Sequence, residues 1–425
     1  MGDLIYSNVK SQYLIPQSDI KNVRTEFHIQ GDGRVLLSNM RLINVGLFGV
    51  AGKGYNRLCG INSIIENITL YDGSQVLSRS ENHKNQSGWK AFHRSNDFND
   101  SRAYETSMSR NAYSWQIRDF NRAGDSTVAI DMSNQEIYST AVVQTAVAEN
   151  ATQKGLIHLA DYLPLLQAFP TLSTDIFPNL RLVVEYNQNF SEMLTNDNAT
   201  AGLVNTMPIL VAEEVFDEKL KNKMVSGEKL VNWFETETDS VRLAAQAGLA
   251  DQVYVTQQLN TRINGFNNKY VDDIWIKTMP TTTAVDNNGN VVQCFGYLGS
   301  RHEDQGTYNL RINGVPLYPR EGLNKPSMRL RAIADRYTKF TAYQEMNNLP
   351  FLGTVLENAN DCQAGKADYA YLQVKKNVED LVFTFSREHQ LDNNNDFNHA
   401  LTFTLFGRVA KSMKVSKGSY KIGYS

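Results

Sequence analysis

Residues 61–77 read Ile-Asn-Ser-Ile-Ile-Glu-Asn-Ile-Thr-Leu-Tyr-Asp-Gly-Ser-Gln-Val-Leu. From 64 to 71 the run is rich in β-branched and apolar residues. Asp72-Gly73 is a turn pair that tolerates positive φ, and Gln75, Val76 and Leu77 turn back along it, so the stretch predicts a β-hairpin. The same grammar recurs outward from here. Residues 26–29, Gly31-Asp32-Gly33 and 35–37 predict a second hairpin, and 281–285, Asn287-Asn288-Gly289 and 291–295 a third. Apolar runs at 381–385 and 401–406 flank an Asn-rich loop at 392–398. Helical signals are short. Residues 156–169 place Leu159, Leu163 and Leu166 on one face, with Asp161 as N-cap and Pro164 tolerable in a first turn. Pro326 opens a second helical stretch. Residues 211–224 read as the end of a strand followed by a charged segment, with Asp217 and Lys221 at i,i+4, and this mid-chain segment is the expected inter-domain connection. Together the pattern predicts an all-β, antiparallel architecture.

The chain has 425 residues, enough for three ordinary domains or two large β domains. Its 42 Asn against 10 Pro, with 10% aromatics, fit many short strands joined by tight turns. The balance of 42 basic and 45 acidic residues excludes a global field of the kind a dedicated nucleic-acid binder carries. Cys59, Cys294 and Cys362 form no metal or disulfide spacing, which predicts a reducing compartment. The longest apolar runs, such as 141–148, are far too short to span a membrane, and no secretory signal opens the chain. Tyr6 stands where an N-myristoylation motif needs Ser or Thr. Residues 65–70 line up with 271–276 at an offset of 206, and 32–36 with 239–243 at 207, the pattern of an internal duplication.

Motifs that would carry chemistry are incomplete. Around Gly52-Lys53-Gly54 a phosphate loop would need glycine where Leu47 stands and a hydroxyl where Gly54 stands, and Arg57 breaks the dinucleotide pattern. The oxygen-rich run 392–396 opens like a calcium loop, but Phe397 and Phe403 occupy the glycine and bidentate-carboxylate positions. His302-Glu303-Asp304 reads as an exposed loop. Asp272 and Asp273, adjacent in a strand, point to opposite faces and make a poor acid/base pair. No metal, cofactor or catalytic residue is assigned. Six N-glycosylation triplets match chance for this composition. The C-terminal stretch carries Arg408, Lys411, Lys414, Lys417 and Lys421 with no acid after Asp396. It is either a basic tail toward packaged nucleic acid or an edge strand guarded by lysines.

Four stretches, 61–77, 155–166 with 179–186, 308–320 and 400–415, together resemble the double jelly-roll major capsid proteins of icosahedral DNA viruses. They are most similar to those of virophages and polinton-like viruses in the adenovirus hexon lineage. The resemblance implies a first jelly roll over 21–222, a second over 223–415, an N-terminal arm at 1–20 and a C-terminal tail at 416–425. It implies a non-enzymatic homotrimer forming a six-cornered capsomer, made inside a host cell and built into a virion shell around DNA. Partners would be neighbouring capsomers, penton and minor capsid proteins, with weak contact between the basic end and DNA and no membrane span. A carbohydrate-binding β-sandwich shares the composition and is the alternative.

Overall fold

The computed structural model describes residues 9–30, 33–48, 54–55, 60–93, 102, 105, 154–188, 194–195, 204–244, 254–280, 307–318, 322, 369–390 and 401–424. Eight principal strands come first: β1 (Val9–Leu14), β2 (Arg24–Gln30), β3 (Arg41–Val45), β4 (Ile65–Asp72), β5 (Gln75–Ser80), β6 (Gly155–His158), β7 (Asn179–Tyr186) and β8 (Ile209–Val215). Eight more follow: β9 (Glu228–Leu243), β10 (Tyr254–Ile263), β11 (Lys269–Pro280), β12 (Thr307–Ile312), β13 (Val315–Pro316), β14 (Tyr369–Val378), β15 (Leu381–Gln390) and β16 (Leu401–Ser416). A last strand, β17 (Ser419–Tyr424), folds back on β16.

Counting each set from one to eight, one sheet runs 1-8-3-6 and the other 2-7-4-5, and both sets obey the same order. That is the antiparallel jelly-roll topology. The chain is therefore two consecutive jelly rolls: the strand and turn pattern predicted the all-β antiparallel class, and the resemblance implied the two rolls. Short strands such as Ser18–Ile20 and Val35–Leu37 extend the sheets of the first roll.

The hairpin read from 64–77 forms as β4 and β5, with Gly73 at φ +57°. The hairpin expected over 26–37 does not. β2 pairs with β7, whereas Val35–Leu37 pairs with Thr171–Ser173 and β8 in the opposite sheet. Gly33 takes φ +69°, and a connection between two facing sheets draws on the same turn chemistry as a hairpin. The offset of 206 also fails as a register. It aligns β4, fourth in its roll, with β11, third in its roll, while the counterpart of β4 is β12. Apolar strands interrupted by acids match one another without sharing a place in the fold.

The helix expected over 156–169 is shorter. Residues 155–158 pair with β3, Leu159–Asp161 makes a single 3-10 turn, and only α2 (Pro164–Ala168) is α-helical, with α1 (His83–His93) preceding it in the chain. Proline at the first helical position has no N–H and blocks extension toward the N-terminus. Asp161 accepts a hydrogen bond from Arg102 Nε at 2.8 Å instead of capping. The stretches 287–289, 302–304, 326–334 and 392–398 lie outside the described residues.

The two rolls are joined through α3 (Glu218–Ser226), whose N-cap Asp217 accepts from Lys219 N at 2.9 Å and Leu220 N at 3.1 Å. Asp217→Ala removes the one oxygen, Oδ1, that accepts both bonds and is expected to cost about 1 kcal/mol. An unchanged midpoint in urea would show that the cap does not contribute to global stability.

Among the described residues, asparagine supplies Asn22, Asn44, Asn82, Asn268 and Asn313, most of the non-glycine positions with left-handed φ. Short polar side chains tolerate that region best, so the asparagine excess is in part turn chemistry. Asn313-Gly314, for example, closes β12 onto β13 with φ +52° and +81°.

Each roll has its own apolar core, but the chain does not divide as the cores do. The first core holds Phe27, Leu42, Ile68, Leu70, Leu163 and Leu182 from the first roll, and also Val231 and Trp233 of β9 and Met413 and Val415 of β16. The second core takes Leu243 of β9 and Leu401, Phe403, Leu405 and Val409 of β16. β9 and β16 pair along all 16 residues, about 50 Å of extended chain, which is long enough to serve both cores. The segment expected as a tail, 416–425, forms β17 on the end of this ladder, and Tyr420 and Ile422 pack against the first core. Likewise β1 and Ser18–Ile20, placed within the expected arm, are paired in sheets.

Candidate functional site at the joint between the rolls

Strand β9 reads Glu-Lys-Leu-Val-Asn-Trp-Phe-Glu-Thr-Glu from 228 to 237. Alternation sends Val231, Trp233 and Glu235 to one face. That face meets the first roll, so a carboxylate is driven into the joint along with two apolar side chains. Glu235 is 1% exposed. Its Oε1 accepts from Ser78 Oγ at 2.8 Å and from the Arg79 backbone N at 2.7 Å, and its Oε2 accepts from Trp233 Nε1 at 2.7 Å. Two of the three donors belong to β5, so this carboxylate ties the rolls together. Glu235→Gln places an NH₂ group against a donor. The expected loss is about 1–3 kcal/mol, the cost of burying polar atoms without partners, and a denaturation curve superimposable on wild type would refute the tie.

Beside it, Glu237 gathers Lys269, Lys411 at 3.5 Å and the Tyr424 hydroxyl at 2.8 Å. Lys269 and Lys411 stand 4.6 and 5.1 Å from the Tyr424 ring centroid, a cation–π arrangement. Tyr420 donates to Asp72 Oδ2 at 2.9 Å, and its ring lies 4.9 Å from that of Phe177. Burial first, and then the neighbouring carboxylates of Asp72 and Glu237, push the Tyr420 and Tyr424 hydroxyls upward, so both remain protonated donors near neutrality. Glu237, Lys269, Lys411 and Tyr424, with Arg79 and Glu81 facing them, line a cleft of about 540 Å³ between β5, β9, β11, β16 and β17. Positive and negative groups alternate there, and each carboxylate already has a cation or donor. The arrangement binds the two rolls to each other and presents no activated nucleophile.

The basic residues singled out in the sequence separate into two groups. Arg408 and Lys411, expected on a tail, lie in the middle of β16. Arg408 Nη1 is 3.2 Å from Asp272 Oδ2 and 3.3 Å from Asp273 Oδ2, so these acids, expected on opposite faces, converge where the register of β11 shifts between Val271 and Asp273, and the guanidinium lies 4.9 Å from the Phe234 ring centroid. These two cations are held by acids that precede them in sequence by well over a hundred residues. Lys414, Lys417 and Lys421 are exposed. Lys414 stands directly opposite Lys421 on β17 and Leu230 on β9, while Lys417, at φ +49°, begins the turn between β16 and β17. Like charges facing each other across a ladder are mildly destabilising, so this outer face is not arranged for stability alone.

One serine–histidine–amide constellation does form. His83 lies 2.9 Å from Ser80 Oγ through Nδ1 and 2.9 Å from Asn62 Oδ1 through Nε2. All three residues are fully buried, so no substrate reaches the hydroxyl, and Ser80 Oγ also donates to Gln86 Oε1 at 2.5 Å. It is a buried polar cluster at the start of α1. Among the described residues no group of His, Cys, Asp or Glu is spaced to hold a metal ion, and no helix is long and apolar enough to cross a membrane. Sequence reasoning missed Glu235. The available signal was an acid in the inward register of an otherwise apolar alternation.

No family model and no curated protein matches this chain. Solved structures do. A chain in the cryo-EM structure of the Sputnik virophage aligns over 98% of this chain and 88% of its own length, with TM-score 0.59 and 9% identity. The crystal structure of the mavirus major capsid protein aligns over 100% and 92%, with TM-score 0.56 and 10% identity. The quasi-atomic model of the PBCV-1 virus capsid aligns over 98% and 96%, with TM-score 0.53 and 12% identity. The likeness covers both rolls in each case, and the double jelly-roll fold that the four sequence stretches resembled is the fold of this chain.

Proposed function

We propose that this chain is a structural major capsid protein whose trimers present six jelly rolls as a six-cornered capsomer and tile an icosahedral shell around DNA. The observation that carries the reading is the full-length likeness to viral capsid structures, including one described as a major capsid protein. The joint supports it. A capsomer that must tile needs its two rolls at a fixed angle, and β9, β16 and β17 fix that angle by contributing side chains to the first core. Weak contacts between capsomers then suffice, because many close together in a shell. The sealed Ser80–His83–Asn62 cluster agrees with a non-enzymatic role.

In this reading the functional division falls between a first roll ending near 222 and a second beginning near 223; β1, within the expected arm 1–20, and β17, within the expected tail 416–425, are strands of those rolls, and their outer faces turn toward neighbouring capsomers or the interior. Lys414, Lys417 and Lys421 form the interior-facing patch, where each phosphate contact adds salt-dependent affinity. Penton and minor capsid proteins are the further partners, and the virion, assembled in the host cell, is the location.

The test is the solution mass of the purified chain together with low-resolution images. Stable trimers of pseudo-hexagonal outline are expected. A strict monomer that binds glycans would overturn the reading in favour of a carbohydrate-binding sandwich.

A further inference from the structure

Lys84, near the start of α1, reaches two groups from two other segments. Its Nζ is 2.7 Å from Glu66 Oε2 on β4 and 3.4 Å from Asn187 Oδ1, one residue past β7. Asn187 is 2% exposed and fixed at both ends: its backbone N donates to Ile64 O at 2.8 Å, and its Nδ2 donates to Ser63 O at 3.3 Å. The second bond turns the amide so that its carbonyl faces the lysine. The Lys84 side chain is 14% exposed, and the site borders the buried polar cluster of Asn62, Ser80 and His83. An amine and a primary amide that are largely withdrawn from water are thus held beside a carboxylate that is 35% exposed, and holding reactants in such geometry can replace much of an activation barrier.

We propose that Lys84 and Asn187 become joined by an isopeptide bond that the folded chain forms on itself, with Glu66 relaying the protons. The Glu66 carboxylate takes a proton from the Lys84 ammonium across their 2.7 Å contact, leaving the amine neutral. The Nζ lone pair attacks Cγ of Asn187, forming the new C–N bond and placing the electron pair of the carbonyl on Oδ1. Glu66 delivers its proton to Nδ2 and removes one from the attacking nitrogen. As the carbonyl re-forms, the Cγ–Nδ2 bond breaks and ammonia departs, leaving as ammonium with the proton Glu66 still holds. One C–N bond forms and one breaks, with no oxidant, reductant or outside co-reactant. The product staples α1 to the end of β7 and closes the chain between residues 84 and 187 into a covalent loop. It is a single event within one molecule and needs no substrate channel.

Intact-mass measurement of the purified full chain tests this directly. The expected mass is that of the sequence less one ammonia, with a branched peptide joining residues 84 and 187 after proteolysis. Lys84→Arg and Glu66→Gln should each restore the full mass, and Lys84→Arg should lower Tm by roughly 5 °C, since a cross-link over so long a loop restricts the unfolded chain. Wild-type protein at full mass with no branched peptide overturns the proposal, whether or not the variants fold. Ammonia loss without the branched peptide, as from succinimide formation at Asn313-Gly314, overturns it too. A link that forms as fast in Glu66→Gln as in wild type removes Glu66 from the relay.

Discussion

Trp233→Ala is expected to destabilise the first jelly roll by about 3–5 kcal/mol, although Trp233 lies on the first strand of the second. The indole is 7% exposed and belongs to the first core beside Val231, Met413 and Val415. Truncation opens a cavity there and also removes the Nε1 donor from Glu235 Oε2, leaving a buried acceptor without its partner at a further cost of about 1–3 kcal/mol. Trp233→Phe separates the two effects, because it keeps most of the packing and loses only the donor. The measurement is denaturation followed by hydrogen exchange at the amides of β4 and β5. Faster exchange in both strands is the expected result, and a loss confined to amides of β10 and β15 would show that the long strands serve one core only.

Phe403→Ala should have a comparable effect on the other core, about 3–5 kcal/mol. Phe403 is fully buried on β16 and sits among aromatic neighbours, with ring centroids 4.6 Å from Phe385, 5.2 Å from Phe383 and 6.2 Å from Tyr308. Edge-on and tilted ring pairs add to the simple burial of area, so an aliphatic replacement such as Phe403→Leu should recover only part of the loss. Here exchange should accelerate in β12 and β15 and leave β4 and β5 largely protected. The pair of variants therefore distinguishes a chain of two separable rolls from one in which β9 and β16 hold both cores. If Phe403→Ala loosened β4 and β5 as much as Trp233→Ala does, the two cores would unfold as a single cooperative unit.

The parts of the fold legible in the sequence were those that local chemistry dictates. The alternation in 64–71 with Asp72-Gly73 after it specified β4 and β5 because a two-residue turn leaves a strand no neighbour but the next one. The asparagine excess pointed to turns, and left-handed asparagines such as Asn22 and Asn313 occupy them. Pro164 reads as tolerable in a first turn of a longer helix, and the helix begins at it because a residue without an N–H fits the first helical position. Where the chain passes from one sheet to the facing one, the same signals misled. Gly31-Asp32-Gly33 has hairpin chemistry, yet the strands on either side of it never pair.

The joint was less legible than either roll. Arg408 and Lys411 read as the start of a basic tail because the nearest acids along the chain lie far upstream. In space Asp272, Asp273 and Glu237 are their neighbours, brought there by the pairing of β16 with β9 on one side and β11 on the other. Sequence alone determined that the chain is all-β and antiparallel, that it carries no complete catalytic or metal motif, and that its turns are asparagine-rich, since period-two patterning and turn chemistry are local. Only the tertiary structure decided which strand lies beside which, that β9 and β16 serve two cores, and that an inward acid at Glu235 is satisfied by β5 rather than left buried alone. Pairing between distant strands depends on complementarity across many residues at once, and no short stretch carries that information.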